Sequence, residues 1–182
     1  MQTSLTREQI EELFLALDSE LHALGVVGEV HVVGGAVLCL VFRARPATRD
    51  VDAYFEPTQK MRQAAARVAA LHGLPADWLN DAAKGYLSPQ GRYELFLERP
   101  NLRVFTAQPE YLLAMKCLAF RLGAEFHDEA DVRFLLRLLN IECYDTAVEI
   151  ITRYYPAERF PQRALYALDE ILGGAVTPVT RA

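Results

Sequence analysis

Two aspartates placed one residue apart, shortly after a Gly-Gly turn, constrain this chain more than any other feature. A hydrophobic strand leads into Gly34-Gly35, a short apolar helix follows, and a second strand opens with Asp50 and Asp52. Alternate residues of a strand point to the same face. The two carboxylates are therefore predicted to project together, while Val51 faces a core.

The two carboxylates predict a cation site. Like charges side by side repel each other unless a cation lies between them, and Mg²⁺ prefers one or two carboxylates together with substrate phosphates. We therefore expect Mg²⁺, or Mn²⁺ in its place, to bind at Asp50 and Asp52. The predicted chemistry is phosphoryl or nucleotidyl transfer, with a nucleoside triphosphate (NTP) as substrate.

The composition is that of an ordinary globular chain. The 182 residues suffice for one core with a modest appended lobe, and 52% are hydrophobic while 24% are charged. No apolar run is long enough to span a bilayer, and the polar N-terminus lacks a signal-peptide pattern. The predicted location is the cytoplasm, with no membrane partner. The net charge of −5 argues weakly against a general nucleic-acid binder.

The cysteines Cys39, Cys117 and Cys143 stand far apart in apolar surroundings. An odd number without Cys-x-x-Cys spacing disfavours a disulfide framework and a zinc site. All three are predicted to be buried, reduced thiols.

Three arginines, Arg43, Arg45 and Arg49, stand just before the first aspartate. The cluster has two interpretations of equal weight. It is either a solvated loop or a contact to phosphate, because a guanidinium matches phosphate oxygens with two parallel hydrogen bonds.

Periodicity and turn residues predict an α/β (α+β) fold, with a mixed sheet flanked by helices and followed by a C-terminal helical lobe. The predicted domains are an α/β core over 1–108 and a helical lobe over 109–182 that packs on it. Residues 43–49 are predicted to be a loop and residues 173–182 a tail. The predicted helices span about 7–24, 36–42, 58–73, 74–83, 109–122, 128–139, 145–155 and 161–172, and the predicted strands about 29–33, 51–55, 93–97 and 102–106.

A second set of charged residues lies in the helical half. Lys116 interrupts an apolar helix, where an ammonium is costly unless an anion meets it; the alternative is a lysine that reaches solvent from the helix surface. Asp128 and Asp131 stand three residues apart and share a helix face. Their alternative role is to cap the helix and to interact with its dipole, which is the better interpretation for Asp128 alone.

Taken together, these residues resemble the nucleotidyltransferase superfamily with the polymerase-β-type minimal fold, and more closely its AbiEii/AbiGii toxin-like group. That group shows Gly-Gly, Thr-x-Asp-x-Asp, a helix with lysine in a Leu-x-x-x-Lys-x-x-Ala setting, and a short Asp-x-x-Asp motif. The resemblance covers roughly residues 30–140. The matching segments, in the same order, are Gly34-Gly35, Thr48-Arg49-Asp50-Val51-Asp52, Leu112-Leu113-Ala114-Met115-Lys116-Cys117-Leu118-Ala119 and Asp128-Glu129-Ala130-Asp131.

The resemblance implies a role for each position. The two glycines would let the backbone approach the triphosphate, and the two aspartates would hold Mg²⁺. Lys116 would contact the nucleotide phosphates, and Asp131, or Asp128, would act as a general base or as a partner of the lysine. Thr48 would bond a phosphate or orient the metal-binding strand. Separately from the resemblance, Arg49 and Arg43 are the members of the arginine cluster that we predict to contact phosphate.

The resemblance also implies partners. The acceptor would be an RNA such as tRNA, or a protein. The chain would then be the toxin of a toxin–antitoxin or phage-defence system, with an antitoxin protein as partner.

Two features depart from an active transferase. Strand 102–106 lacks the third carboxylate that many superfamily members, though often not the AbiEii-type group, carry on a later strand, and Glu94 and Glu98 are weak substitutes. The chain is also short, and the helical lobe that would choose an acceptor is small. The alternative function is therefore a degenerate, inactive fold that binds a nucleotide or a protein. The segment 74–85, which contains the only tryptophan, Trp78, is predicted to be a core anchor, and its alternative role is to stack on a nucleobase.

Overall fold

The computed structural model describes residues 4–121 and 127–173. The chain forms two compact units, one from residues up to 87 together with 92–108, and the other from residues 88–91 together with those from 109 on. The fold is mixed α/β, as the sequence predicts. Helices and strands alternate in the first unit, and the second unit is helical.

The first unit contains every strand within the described residues. Its helices are α1 (Arg7–Ala23), α2 (Gly34–Leu40) and α3 (Thr58–His72), and a 3-10 helix spans Ala82–Tyr86. Its strands are β1 (Leu5–Thr6), β2 (Gly28–Val32), β3 (Ala47–Thr48), β4 (Val51–Glu56), β5 (Leu79–Asn80), β6 (Tyr93–Glu98) and β7 (Leu102–Ala107).

Five strands form a mixed sheet in the order β5-β4-β2-β7-β6. The central strand β2 pairs antiparallel with β4 and parallel with β7. Strand β4 alternates as its sequence predicts: Val51, Ala53 and Phe55 are buried, whereas Asp52 and Tyr54 are partly exposed. The side of β4 that carries Asp52 is therefore open to water, and the opposite side is part of the core.

Helix α1 begins with a capping box. The hydroxyl of Thr6 accepts the backbone N–H of Gln9, and the side chain of Gln9 accepts the N–H of Thr6. Its apolar residues recur every three or four positions, so one side of the helix is buried. The buried residues of that side are Ile10, Leu13, Phe14, Leu17 and Leu21.

Two predictions in this unit are wrong. The loop 43–49 contains the short strand β3, whose residues Ala47 and Thr48 pair with Thr6 and Leu5. The helix predicted over 74–83 is absent: its residues form β5 and the start of the 3-10 helix. Pairing with β4 and burial of Trp78 outweigh the local helical pattern there, since tertiary context overrides propensity.

The second unit contains α4 (Pro109–Leu118), α5 (Asp128–Leu138), α6 (Tyr144–Thr152), α7 (Gln162–Ile171) and a 3-10 helix (Ala157–Arg159). The four α-helices agree with the predicted segments to within a few residues at their ends. Helix α4 ends at Leu118, earlier than the predicted end at Leu122, because residues 119–121 are not helical. Leu122 itself and nearly all of the tail predicted over 173–182 lie outside the described residues. Cys143 is exposed, contrary to prediction, while Cys39 and Cys117 are buried.

Candidate functional site

The turn after β2 brings a glycine directly against Asp52. The backbone N–H of Val33 donates to the carbonyl of Asp52 at 2.9 Å. Gly34 has φ +68°, which favours glycine, and a Cβ atom there would lie 3.1 Å from Oδ2 of Asp52. The sequence places glycine at this position because both the backbone conformation and the space require it.

Thr48 fixes the chain just before the carboxylate pair. Its hydroxyl is buried and donates to the carbonyl of Asp50 at 3.2 Å. Because Thr48 also pairs with Leu5 in the two-stranded sheet, the chain just before β4 is restrained both by this pairing and by the hydrogen bond to Asp50. Of the two roles that the resemblance implies for Thr48, this bond fits the one that orients the strand carrying Asp52.

Negative charge is concentrated at Asp50. Burial raises the pKa of this carboxyl, and the charges of Asp52 and Asp77 raise it further; the charge of Arg49 and a hydrogen bond from Asn80 oppose the rise. A raised carboxyl pKa means that the ionised form is disfavoured in the metal-free protein. A cation between the two carboxylates would remove this penalty.

The oxygen donors fit Mg²⁺ or Mn²⁺. Both are hard cations that take carboxylates and leave room for water and substrate oxygens. In the described parts of the chain, no group of three or more His, Cys, Asp or Glu side chains is arranged to hold a metal. A cation at this position would have the carboxylates of Asp50 and Asp52 as protein ligands and could take its remaining ligands from water or substrate.

Arg45 is the arginine of the predicted cluster that lies at the glycine turn. A Cβ atom on Gly35 would lie 3.0 Å from Nη1 of Arg45 and 3.3 Å from Oγ1 of Thr48. The guanidinium and the hydroxyl thus converge on the backbone next to Gly34. Sequence reasoning placed Arg45 in the cluster but selected its neighbours, because the spacing in an irregular loop does not fix the direction of a side chain.

The two selected arginines occupy different surroundings. Arg49 is exposed, and its charge lowers the pKa of Asp50, against the larger effect of burial. Arg43 is exposed with φ +51°, and it acts on α1: hydrogen bonds lower the pKa of Glu8, and the charge of Arg43 lowers it further. Arg49 therefore belongs with the carboxylates, whereas the described contacts of Arg43 do not involve them.

Trp78 is a core residue, as predicted. Its side chain is 1% exposed, and its indole Nε1 donates to the carbonyl of Ala65 on α3 at 3.0 Å. Its own carbonyl accepts the N–H of Val51 at 2.7 Å. A ring buried in this way has no face for a nucleobase, so the stacking alternative is wrong.

The two acids considered as replacements for a third carboxylate lie on the wrong strand. Glu94 and Glu98 are on β6, which is separated from β4 by β2 and β7. Three strand spacings amount to roughly 14 Å. Glu94 instead accepts a hydrogen bond from Nε2 of Gln108 at 3.1 Å. Neither acid shares a site with the aspartates of β4.

The second unit brings Lys116, Asp128 and Asp131 together. The ammonium lies 3.1 Å from Oδ1 of Asp128 and 2.7 Å from Oδ2 of Asp131. The lysine side chain is 12% exposed and each aspartate 4%. Asp128 also accepts the backbone N–H and Nε of Arg121, at 3.1 and 3.0 Å.

This geometry rejects two of the alternatives. Lys116 does not extend into solvent, because it is mostly buried between two carboxylates. Asp128 does not cap α5, because the N-cap is His127, without a side-chain bond. Asp128 and Asp131 do lie in the first turn of α5, so their predicted interaction with the helix dipole stays a prediction. Burial alone would raise the pKa of Asp128, but the charges of Lys116 and Arg121 and their hydrogen bonds outweigh it, so the pKa is lowered.

The predicted site residues thus form two groups, one in each unit. Gly34, Gly35, Thr48, Arg49, Asp50 and Asp52 belong to the first group, and Lys116, Asp128 and Asp131 to the second. Comparison of the chain with protein-family models, with curated proteins and with solved structures finds no match. None of the helices within the described residues is long and apolar enough to cross a membrane.

Proposed function

We propose that this chain is a Mg²⁺-dependent nucleotidyltransferase, which transfers a nucleotidyl group from an NTP to an RNA such as tRNA or to a protein. The observation that carries the proposal is the approach of a glycine backbone to a carboxylate pair. A Cβ atom on Gly34 would lie 3.1 Å from Asp52. Burial raises the pKa of Asp50, and Asp52 lies close enough for its charge to raise that pKa further.

In this proposal the carboxylate pair, the two glycines and the neighbouring Arg45 each have one task. Asp50 and Asp52 hold the cation, which when bound neutralises phosphate charge and polarises the phosphoryl oxygens. Gly34 and Gly35 leave the backbone open to a triphosphate because a side chain there would occupy its space. Arg45 supplies positive charge at the same turn, where a guanidinium is suited to phosphate oxygens.

Lys116 enters the proposal through the resemblance alone. Its contacts in the second unit support a narrower statement: Asp128 and Asp131 fix the position of the ammonium. Whether this ammonium contributes to nucleotide binding is therefore tested separately, with Lys116→Met, which keeps an unbranched side chain and removes the charge.

Calorimetry with each NTP, with and without Mg²⁺, tests the metal and nucleotide steps. We expect binding that requires Mg²⁺ and that is lost in Asp50→Ala and Asp52→Ala. Asp145→Ala serves as the matched control, because Asp145 is an exposed aspartate of the second unit. Binding that survives both substitutions in the first group, or its absence from the unaltered chain, would contradict the proposal.

Transfer is tested with NTPs labelled at the α-phosphate. Label should appear in tRNA or in protein, and Asp52→Ala should abolish it. A toxin role predicts growth arrest on expression that disappears with the same substitution and that a co-expressed antitoxin relieves. Expression without any effect on growth would argue against the toxin role, while leaving the transfer assay to decide the activity.

A second candidate is a module that binds a nucleotide or a protein without catalysis. It is favoured by the sheet itself, since β7 has no carboxylate and the acids of β6 lie three strands from β4. Mg²⁺-dependent NTP binding without label transfer to RNA, to protein or to the chain itself would select this candidate.

A further inference from the structure

The segment 74–86, which the proposed function leaves unused, runs beside the carboxylate pair. It enters the core at Trp78, whose carbonyl accepts the N–H of Val51 at 2.7 Å. Strand β5 then pairs parallel with β4, with Leu79 opposite Val51 and Asn80 opposite Asp52. The segment is therefore held against the start of β4 by the backbone and by a buried indole.

The amide of Asn80 is oriented by its own neighbours. Its Oδ1 accepts the backbone N–H of Ala82 at 3.0 Å, and its Nδ2 contacts the carbonyl of Asp77 at 3.4 Å. Because an N–H donor must face the amide oxygen, the bond from Ala82 fixes which end of the amide is which. The amide nitrogen consequently points to the side on which Asp50 lies.

That nitrogen reaches the candidate metal ligand. Nδ2 of Asn80 lies 3.4 Å from Oδ2 of Asp50. This is a long bond for a neutral donor, and it would strengthen when a bound cation keeps the carboxylate ionised. One oxygen of Asp50 is thereby restrained by Asn80.

We propose that Asn80 is a positioning residue, which holds the carboxylate of Asp50 in the orientation that lets Asp50 and Asp52 bind one cation. The inference rests on the proposed function. It gives the carboxylate pair a support from β5, the strand that pairs with β4. Asn80 itself does not touch the cation or the substrate.

Manganese binding to the full chain, followed by electron paramagnetic resonance with Mn²⁺ alone as the probe, tests this role. Asn80→Ala should weaken Mn²⁺ binding about 5-fold, the effect of losing one modest hydrogen bond. The spectrum of the bound ion should also differ from that of the unaltered chain, because Asp50 is no longer held. A purely structural role for Asn80 would not change the ligand set in this way.

Asp81→Ala is the matched control. Asp81 is the next residue and bonds Nη2 of Arg62 at 2.7 Å. Mn²⁺ affinity in this control should stay within about 2-fold of the unaltered chain, since an exposed ion pair contributes little. Melting temperatures of both variants without metal show whether the segment stays folded.

The outcomes separate the inference from the function on which it rests. If the unaltered chain binds Mn²⁺ and Asn80→Ala binds it as tightly and with the same spectrum, the positioning role is wrong and the proposed function stands. If Asn80→Ala and Asp81→Ala weaken Mn²⁺ binding equally, the effect is structural and the role is again wrong. If the unaltered chain binds no Mn²⁺, the proposed function fails and the inference fails with it.

Discussion

Each unit contains a pair of aspartates, and the two pairs have opposite electrostatics. In the first unit, burial and the charges of Asp52 and Asp77 raise the pKa of Asp50. In the second unit, Asp128 is also buried, but Lys116 and Arg121 lower its pKa. A pair of carboxylates therefore does not indicate a function by itself. Its role depends on which cation lies within reach. The second pair holds a cation of the chain itself, whereas we propose that the first holds one from solution.

The largest effect should follow from removing that internal cation. Lys116→Ala leaves Asp128 and Asp131 buried without the ammonium between them, and breaking a buried ion pair in this way costs about 3–5 kcal/mol. Urea unfolding, followed by circular dichroism, measures the change. Arg133→Ala removes an exposed pair with Glu129 and should cost less than about 0.5 kcal/mol. Equal losses of unfolding free energy in the two variants would contradict the expected difference between a buried and an exposed ion pair.

Neutralising one acid of each pair should change stability with opposite sign. At neutral pH, Asp128→Asn should lower the free energy of unfolding by about 1–3 kcal/mol, because it weakens charge-assisted bonds to Lys116 and Arg121. Asp50→Asn should leave the free energy of the metal-free chain unchanged or slightly higher, since it removes a disfavoured charge. A loss in Asp50→Asn as large as that in Asp128→Asn would show that the pairs are alike.

The glycine turn should be sensitive at one position and tolerant at the next. Gly34→Ala introduces a side chain at φ +68°. It should lower the free energy of unfolding by about 1–3 kcal/mol and should also abolish Mn²⁺ binding at Asp52. Gly35→Ala meets only the mobile end of Arg45 and Oγ1 of Thr48. It should keep the stability and weaken NTP binding. Thermal melting and calorimetry distinguish the two effects, and equal stability losses would contradict the proposed difference.

The smallest effect concerns acid pH. The folded pKa of Asp128 lies below the ordinary value of 3.8, so its stabilising contribution is present above that value and is lost as pH falls through the folded pKa. For Asp50, whose folded pKa is raised, stability is instead lost as pH rises from 3.8 through the folded pKa. Unfolding free energies should be measured from pH 3 to pH 7. In Asp128→Asn they should fall less steeply toward acid pH than in the unaltered chain, and in Asp50→Asn they should decline less as the pH rises above 3.8. Parallel curves for the two variants would contradict these signs.

Sequence patterns predicted the elements whose signal is local. Helix α1 repeats its apolar residues at helical spacing and carries a capping box at Thr6, and β4 alternates between core and solvent. Strand β3 was missed because it has only two residues and its partner, Leu5–Thr6, lies far away in the chain. The helix predicted near Trp78 was wrong because the partner of that segment is β4, which no local pattern indicates.

The candidate site was predictable to the same extent. The shared face of two residues at i and i+2 follows from strand geometry, as does the need for glycine at a tight approach. The position of Arg45 at the turn and the bond from Asn80 to Asp50 depend on how a loop and an edge strand fold back, which spacing does not encode. The partner of Lys116 was anticipated as an anion, but only the structure identifies both aspartates.

The order of the strands in the sheet also bears on how the chain emerges during synthesis. The central strand β2 has one neighbour that follows it closely, β4, and another, β7, that comes much later. Synthesis proceeds from the N-terminus, so β2 and β4 are available before β7. Until β7 arrives, one edge of β2 has no strand to pair with, and exposed edges invite association with other chains. The strand that carries Asp52 therefore belongs to the part of the sheet that can assemble first, and β7 is the strand that closes the vulnerable edge of a nascent chain.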